Sequence, residues 1–216
     1  MEVISIAVSI SVQLYARTSK YREYLESLGD EVTNISATTI ANALDYYDVS
    51  VRKDLSQISG SGRPKMGYEK KELLRDIKKF LGYDKQNSAI IVGVGHLGTA
   101  LLSYQNFANC GLEIRAGFDV SPDILGKSVN GVMILDTSKL TDMCRRFGVT
   151  IGIITVPAEK AQTVCNELIS GGVSGIWNFA PVTLKVPAGV AVKNEDLAAS
   201  LSMLTGSMSL LKKTEE

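Results

Sequence analysis

Ala89-Ile90-Ile91-Val92-Gly93-Val94-Gly95-His96-Leu97-Gly98 decides the fold class of this chain. The first four residues read as a parallel strand buried on both faces, and three glycines at GxGxxG spacing then lead into a helix. Each glycine has its own job in that setting. Gly93 allows the tight turn, Gly95 lets the backbone approach a pyrophosphate, and Gly98 permits close packing of helix on strand. The helix N-terminus also presents N–H groups to an anion. By itself the pattern is weak, because many βα turns need glycine. Asp119, at the end of the next strand, strengthens it. A carboxylate there is spaced to accept ribose hydroxyls and would repel a 2′-phosphate, so NAD(H) is expected rather than NADP(H). The expected loop contacts are Gly93, Val94, Gly95, His96, Leu97 and Gly98, with His96 touching pyrophosphate or solvent rather than serving as a base.

Outward from this loop towards the C-terminus, strand and helix alternate. Strands are expected over Leu112 to Phe118, Val132 to Leu135, Thr150 to Val156 and Gly175 to Phe179. Helices are expected over Leu97 to Phe107, Leu140 to Phe147 and Ala158 to Ser170. Such βαβ alternation implies a parallel sheet covered on both faces. Thr155-Val156-Pro157 and Asn178-Phe179-Ala180 end two of the strands at the carboxyl edge, where open α/β sheets bind ligands, so they are candidate cofactor contacts beside the ordinary reading as loop exits. Helix resumes at Glu195 and runs through Leu211. Its apolar stripe, Leu197, Leu201, Leu204, Met208 and Leu211, has no remaining sheet face to cover.

Towards the N-terminus the periodicity becomes helical. Leu14, Tyr21, Tyr24, Leu25 and Leu28 recur at three- and four-residue spacing, and Gly29 ends the segment. Ser36 is expected to cap a second helix and Ser50 a third, beginning Val51-Arg52-Lys53-Asp54-Leu55. Three short helices with a tight turn before the third are the grammar of a helix-turn-helix, placed over about residues 21–60. Gly60 to Tyr68, rich in glycine and broken by Pro64, suggests a β-hairpin wing. A helix from Lys70 to Leu81 closes the unit. Basic residues outnumber acidic ones nine to four between Ser50 and Leu81, although the whole chain of 216 residues has 23 of each. Bulk charge therefore says nothing about partners, while this stretch is either a solvated helix face or a nucleic-acid surface.

Cys110, Cys144 and Cys165 are an odd set without CxxC spacing, which fits thiols kept reduced in the cytoplasm. One histidine makes a metal cluster unexpected, and no apolar run reaches the length of a membrane span. The apolar Val3 to Leu14 lacks a basic n-region and a cleavage site, so it does not read as a signal peptide.

Several blocks, in order, resemble the Rex family of redox-sensing repressors over nearly the whole chain from about Ile10. They are Val51-Arg52-Lys53-Asp54-Leu55-Ser56 with Gly67-Tyr68; Val92 to Gly98 with Ala100-Leu101 and Tyr104; Phe118-Asp119; Thr155-Val156-Pro157 with Ala161-Gln162; and Asn178-Phe179-Ala180-Pro181 with Val186-Pro187. The resemblance implies an α/β chain with an N-terminal winged helix-turn-helix, a Rossmann-type parallel sheet, and a C-terminal helix swapped between the subunits of a homodimer. It further implies an operator DNA partner, with release by NADH. Carried over by position, Ser50, Arg52, Lys53 and Ser56 on the third helix and Arg63 and Lys65 on the wing would contact DNA. Tyr104 would lie near the nicotinamide, and Asp196 on the swapped helix would pair with it across the dimer. The sequence departs from the family at Glu23, where an arginine is usual, at His96, and in the wing at Ser59-Gly60-Ser61.

The expected division is an N-terminal extension over 1–9, a DNA-binding domain over 10–85, a cofactor domain over 86–194 and a dimerisation helix over 195–216. Two other classes compete. An NAD-dependent oxidoreductase would need a substrate domain and an acid/base pair, for which the 38 residues after Asn178 leave little room. A CoA- or nucleotide-binding accessory protein would leave the winged helix unexplained.

Overall fold

The computed structural model describes residues 4–214, with side chains over 12–209; Met1, Glu2 and Val3 of the expected extension and the Leu211 side chain of the C-terminal stripe lie outside these. The chain forms two compact units, 1–85 and 86–216.

The first unit contains α1 (Ile4–Ser27), β1 (Asn34–Ile35), α2 (Ala37–Leu44), α3 (Asp48–Ser59), β2 (Tyr68–Glu69) and α4 (Lys70–Phe80). Its core is the inward faces of these helices: Tyr21 and Leu25 from α1, Ile40 and Ala41 from α2, Val51 and Leu55 from α3, Leu73 and Ile77 from α4. Ser36 caps α2 as expected, its hydroxyl accepting from the Thr39 N–H at 3.0 Å. Ser50 caps nothing. Asp45 takes the left-handed conformation after α2, and the helix starts at Asp48, which puts Ser50 inside its first turn. Lys70 is buried at the start of α4, and its ammonium donates to the Leu28 and Gly29 carbonyls at 3.0 and 2.7 Å. That cation satisfies acceptors just beyond the end of α1, where the helix dipole favours positive charge. The wing differs from the expected hairpin. Only Arg63 and Gly67 bridge across it, and β2 pairs instead with β1, Ile35 opposite Tyr68.

The second unit runs β3 (Asn87–Val92), α5 (His96–Leu102), α6 (Asn106–Asn109), β4 (Leu112–Asp119), β5 (Ser128–Val129), β6 (Val132–Asp136), α7 (Leu140–Phe147), β7 (Ile151–Ile154), α8 (Ala158–Ser170), β8 (Gly175–Asn178), β9 (Ala191–Asn194) and α9 (Leu197–Thr214). The sheet order is β5-β6-β4-β3-β7-β8-β9, parallel except for β5 against β6. Strand β3 is central. Ile90 and Val92 face one core, built with Leu140 and Cys144 of α7 and Val164, Cys165 and Leu168 of α8; Ala89 and Ile91 face the other, with Leu102 of α5. Burial on both faces is the reason the strand reads as an unbroken apolar run.

Three expectations need correction. The helix placed over 97–107 breaks after Leu102, its last buried residue, leaving Tyr104 between α5 and α6. A further strand, β9, follows Gly175–Asn178, and the C-terminal helix begins at Leu197 rather than Glu195. Asp196 stands just before it, its carboxylate accepting from the Ala199 N–H at 2.8 Å in the manner of a cap.

Cys144 and Cys165 are buried. Burial pushes the Cys144 thiol up to about 11 and raises that of Cys165. The stabilisation from keeping Cys144 neutral is complete below the ordinary thiol value and is lost as pH rises towards 11. At pH 7 its thiolate is present at roughly one part in ten thousand. An alkylating reagent should therefore modify half-buried Cys110 in the native protein, with Cys144 and Cys165 reacting only once it unfolds; peptide mass mapping before and after denaturant checks this.

Candidate functional site

In the second unit a cavity of about 550 Å³ opens at the carboxyl ends of β3, β4 and β7. Strands β3 and β7 are neighbours in space but far apart in order, so this is the switch point of the sheet, where open α/β folds bind ligands. Gly93, Gly95, Asp119, Thr155, Val156 and Pro157 all line it. Gly93 has φ +96°, and a Cβ there would lie 2.7 Å from the Thr155 carbonyl oxygen. The Thr155 hydroxyl donates to the Gly93 carbonyl at 2.6 Å and lies 3.1 Å from that of Val92, holding the loop against β7. At Gly98 a Cβ would run into the Gly93 carbonyl oxygen, so α5 packs as close as glycine allows. At Gly95 a Cβ would meet no atom within 4 Å. The loop backbone is thus open towards the cavity where a dinucleotide phosphate would approach.

Asp119 is more occupied than its spacing suggested. One carboxylate oxygen accepts from the Val94 N–H at 2.7 Å, the other from the Val120 and Ser121 N–H groups at 2.8 and 2.9 Å. It ties the glycine loop to the end of β4 while lying in the cavity wall, so it is a strut as well as a candidate ribose acceptor. Asn178 is buried, and its side chain is bonded to Ala180, Val182 and Asn194, shaping the loop that carries Phe179 and Ala180. Exposed Tyr104 stands outside the cavity wall, at the head of an aromatic series. Its ring centroid is 4.8 Å from that of Phe107, which is 5.6 Å from that of Trp177, which is 5.0 Å from that of Phe179. Trp177 donates to Glu195 at 2.9 Å, beside Asp196. His96 and Leu97 are exposed in the first turn of α5, outside the cavity lining. Sequence reasoning missed Lys160, Thr163 and Glu167 of α8, which also line the cavity and follow i, i+3, i+7 spacing along the helix.

In the first unit, Arg52, Arg63 and Lys65 line one groove of about 340 Å³ between α3 and the wing. Arg52 is held in place, its Nε donating to Asp48 at 2.7 Å and an Nη to the Thr38 hydroxyl at 3.0 Å. Hydrogen bonds from Arg52 and then Thr38 hold the Asp48 carboxyl below its usual range. Lys53 and Ser56 are exposed on α3, with the Ser56 hydroxyl donating to the Lys53 carbonyl. Ser50 points elsewhere, lining a cavity with Gln13, Arg17 and Tyr47. Glu23, on α1, accepts from Lys20 at 2.9 Å.

Lys65 sits at the tip of the wing with φ +64°, two residues after Arg63, whose carbonyl accepts from Met66. A side chain in that conformation costs roughly 1 kcal/mol. Lys65→Gly should leave the fold equally stable or up to about 1 kcal/mol more stable, yet weaken nucleic-acid binding by removing a cation. Thermal melts paired with titrations of one DNA duplex check the opposed signs.

The comparisons with known proteins cover both units. Residues 9–56 match the family described as putative DNA-binding protein N-terminus, and residues 84–182 match the CoA binding domain. The redox-sensing transcriptional repressor Rex of Porphyromonas gingivalis is 39% identical over 192 residues, 88% of each chain. This chain belongs to the Rex family of redox-sensing transcriptional repressors. Rex of Clostridium perfringens is 36% identical over 196 residues, covering 90% of this chain and 92% of that one. The solved structure of RSP, a Rex-family repressor, in complex with NAD⁺ and operator DNA superposes with a TM-score of 0.87 at 32% identity, covering 94% of this chain and 96% of RSP. RSP in complex with NADH superposes with a TM-score of 0.82 at 31% identity, covering 99% and 100%. The winged-helix and Rossmann-type architecture expected of a Rex chain is therefore the architecture present. The CoA-binding match is to the nucleotide-binding sheet, and these Rex relatives are named as repressors, not enzymes.

Proposed function

We propose that this protein is a dimeric transcriptional repressor that binds operator DNA through α3 and the wing and is released by NADH bound at the Gly93–Gly98 loop. The observation that carries the proposal is one chain holding both a basic helix-and-wing groove and an open glycine-loop cavity with a carboxylate in its wall. The cavity suits a dinucleotide: Gly95 leaves room for a pyrophosphate against the backbone, and Asp119 can add ribose hydroxyls to the donors it already holds. Arg52 and Lys53 would reach base edges and phosphates in the major groove, and Arg63 and Lys65 would neutralise phosphates beside it.

The nicotinamide ring supplies the signal when bound, uncharged when reduced and cationic when oxidised. What this chain would contribute is the aromatic series from Tyr104 to Phe179, with which the two charge states of the ring would interact differently. Asp196, at the root of α9, would answer Tyr104 from the partner subunit. Near-complete switching from 1:99 to 99:1 needs about 5.5 kcal/mol of differential affinity between the two states. No helix among the described residues is long and apolar enough to cross a membrane; a repressor of this kind would act in the cytoplasm, on the chromosome.

The dimer would form through α9. Leu197, Leu201, Leu204 and Met208 are between 51% and 71% exposed and recur at four- and three-residue spacing, a seam that needs a partner. Leu204→Glu should raise the dimer dissociation constant roughly thirtyfold or more, seen as monomer by sedimentation; an unchanged dimer would place the interface elsewhere.

The experiment that tests the function is a gel shift on duplexes selected from the organism's own promoters, with NADH or NAD⁺ added. Loss of the shifted band with NADH but not with NAD⁺ is the expected result. Binding indifferent to both cofactors would sink the sensor reading and leave a constitutive DNA-binding protein. NADH binding with no DNA binding would leave a cofactor-binding protein alone.

A further inference from the structure

The outward face of α3 carries a residue that its basic motif does not explain. Successive side chains advance about 100° around a helix. Val51, Asp54 and Leu55 are the buried side chains of α3. The face opposite them is centred on Val49, with Lys53 and Ser56 close on either side and Arg52 just beyond. Val49 is 78% exposed. A single exposed apolar side chain is ordinary on a protein surface, so exposure alone carries nothing. Its placement carries more.

Val49 lies in the first turn of α3, one turn before Arg52 and Lys53 at i+3 and i+4, so all three share a face. The N-terminal residues of a helix-turn-helix recognition helix are the ones that meet base edges. Arg52 is pinned beside it by Asp48 and Thr38, which fixes the frame around the valine. On the major-groove edges of the four bases, the apolar group is the C5 methyl of thymine. A branched aliphatic side chain between cations matches that group and can satisfy no donor or acceptor.

We propose that Val49 is a specificity-determining residue that reads one thymine in each half-site through its C5 methyl. The proposal rests on α3 being the recognition helix. Arg52 and Lys53 supply attraction and hydrogen bonds, while Val49 makes the choice of thymine at its position by burying two methyl groups against each other. The expected size is that of a small apolar burial, roughly three- to fivefold in affinity per half-site.

The test is a methyl-deletion cycle with the full-length protein. A duplex is first selected from a randomised pool by binding, and each thymine of a half-site is then replaced singly by deoxyuridine, which removes only the methyl. The parent protein should lose roughly three- to fivefold at one thymine. Val49→Ala should bind the parent duplex more weakly by a similar factor and be indifferent to deoxyuridine at that position alone. Val49→Thr, which keeps one of the two γ-methyls that Val49→Ala removes, should restore the sensitivity. Equal losses for the parent and Val49→Ala at every thymine would overturn the proposal, as would a parent protein sensitive at none. A pool that yields no preferred sequence would overturn the repressor reading itself, and Val49 with it.

Discussion

Asp54→Ala should lower the melting temperature of the helical unit by about 12 °C or more and remove DNA binding, although Asp54 lies on the buried side of α3. Its carboxylate receives both ends of a fork from Arg17, Nε at 2.6 Å and Nη2 at 2.8 Å, and the Tyr21 hydroxyl at 2.7 Å. Tyr21 is fully buried and Asp54 is 5% exposed. The hydrogen bond to Asp54 raises the Arg17 guanidinium further above its usual range. Burial, and then the bond to Asp54, raises the Tyr21 phenol. Truncation would leave a partly buried cation and a buried hydroxyl without their acceptor. Breaking a buried pair by removing one partner costs about 3–5 kcal/mol, and for a unit of this size each kcal/mol is roughly 4–8 °C. Since α1 and α3 are joined at this point, the tilt of α3, the proposed recognition helix, depends on it. Asp54→Asn keeps two acceptor contacts and should lose less. Replacing the pair together, Arg17→Met with Asp54→Leu, should recover most of the stability, because apolar packing can substitute for a buried ion pair. Calorimetry of the full chain with NADH present separates the two units, and the second should melt unchanged. An Asp54→Ala protein as stable as its parent would mean that the network is ornamental.

Asp54 also shows where sequence reading stops. Inside Val51-Arg52-Lys53-Asp54-Leu55-Ser56 it looked like one more charge on a solvated helix, because its partners lie 33 and 37 residues upstream. Motifs bound to backbone geometry were legible: Gly93, Gly95 and Gly98 fall where a tight turn, an approach and a close packing demand them. Ser36 and Ser50 looked equivalent as caps, but a left-handed residue at Asp45 brought the third helix forward to Asp48, and nothing in a serine reveals that. Strand β9 is four residues with two polar side chains, a strand only because the edge of β8 is beside it. Lys160, Thr163 and Glu167 carry a helical spacing anyone could find. That they line the cavity beside the glycine loop depends on how α8 lies on the sheet. Val49 was visible as a neighbour of the basic motif, but its exposure was not.

Gly95→Ala and Gly98→Ala should fail in different ways, and the difference locates the cofactor. Both are alike in the GxGxxG pattern. At Gly98 an added methyl would strike the Gly93 carbonyl oxygen, with the Thr155 hydroxyl 3.2 Å away, so the helix and loop would have to separate. Overpacking of this kind costs roughly 1–3 kcal/mol, and the displaced loop would no longer present Gly93 and Asp119 together. Gly95 has φ −75°, which any residue can adopt, and open space where the methyl would go. The change should cost less than about 0.5 kcal/mol in folding. Gly95 also lines the cavity, however, so under the proposed function the added methyl would crowd the approach of the pyrophosphate. NADH affinity should fall roughly tenfold or more, the scale on which a pocket registers one misplaced methyl. Calorimetric titration with NADH, beside thermal melts of both variants, makes the comparison. If Gly95→Ala folds normally and binds NADH like its parent, the pyrophosphate does not lie on this loop. If it folds normally and loses NADH while still binding DNA, the protein should become a repressor that NADH no longer releases. That outcome ties the cavity to the switch more directly than any loss of fold could.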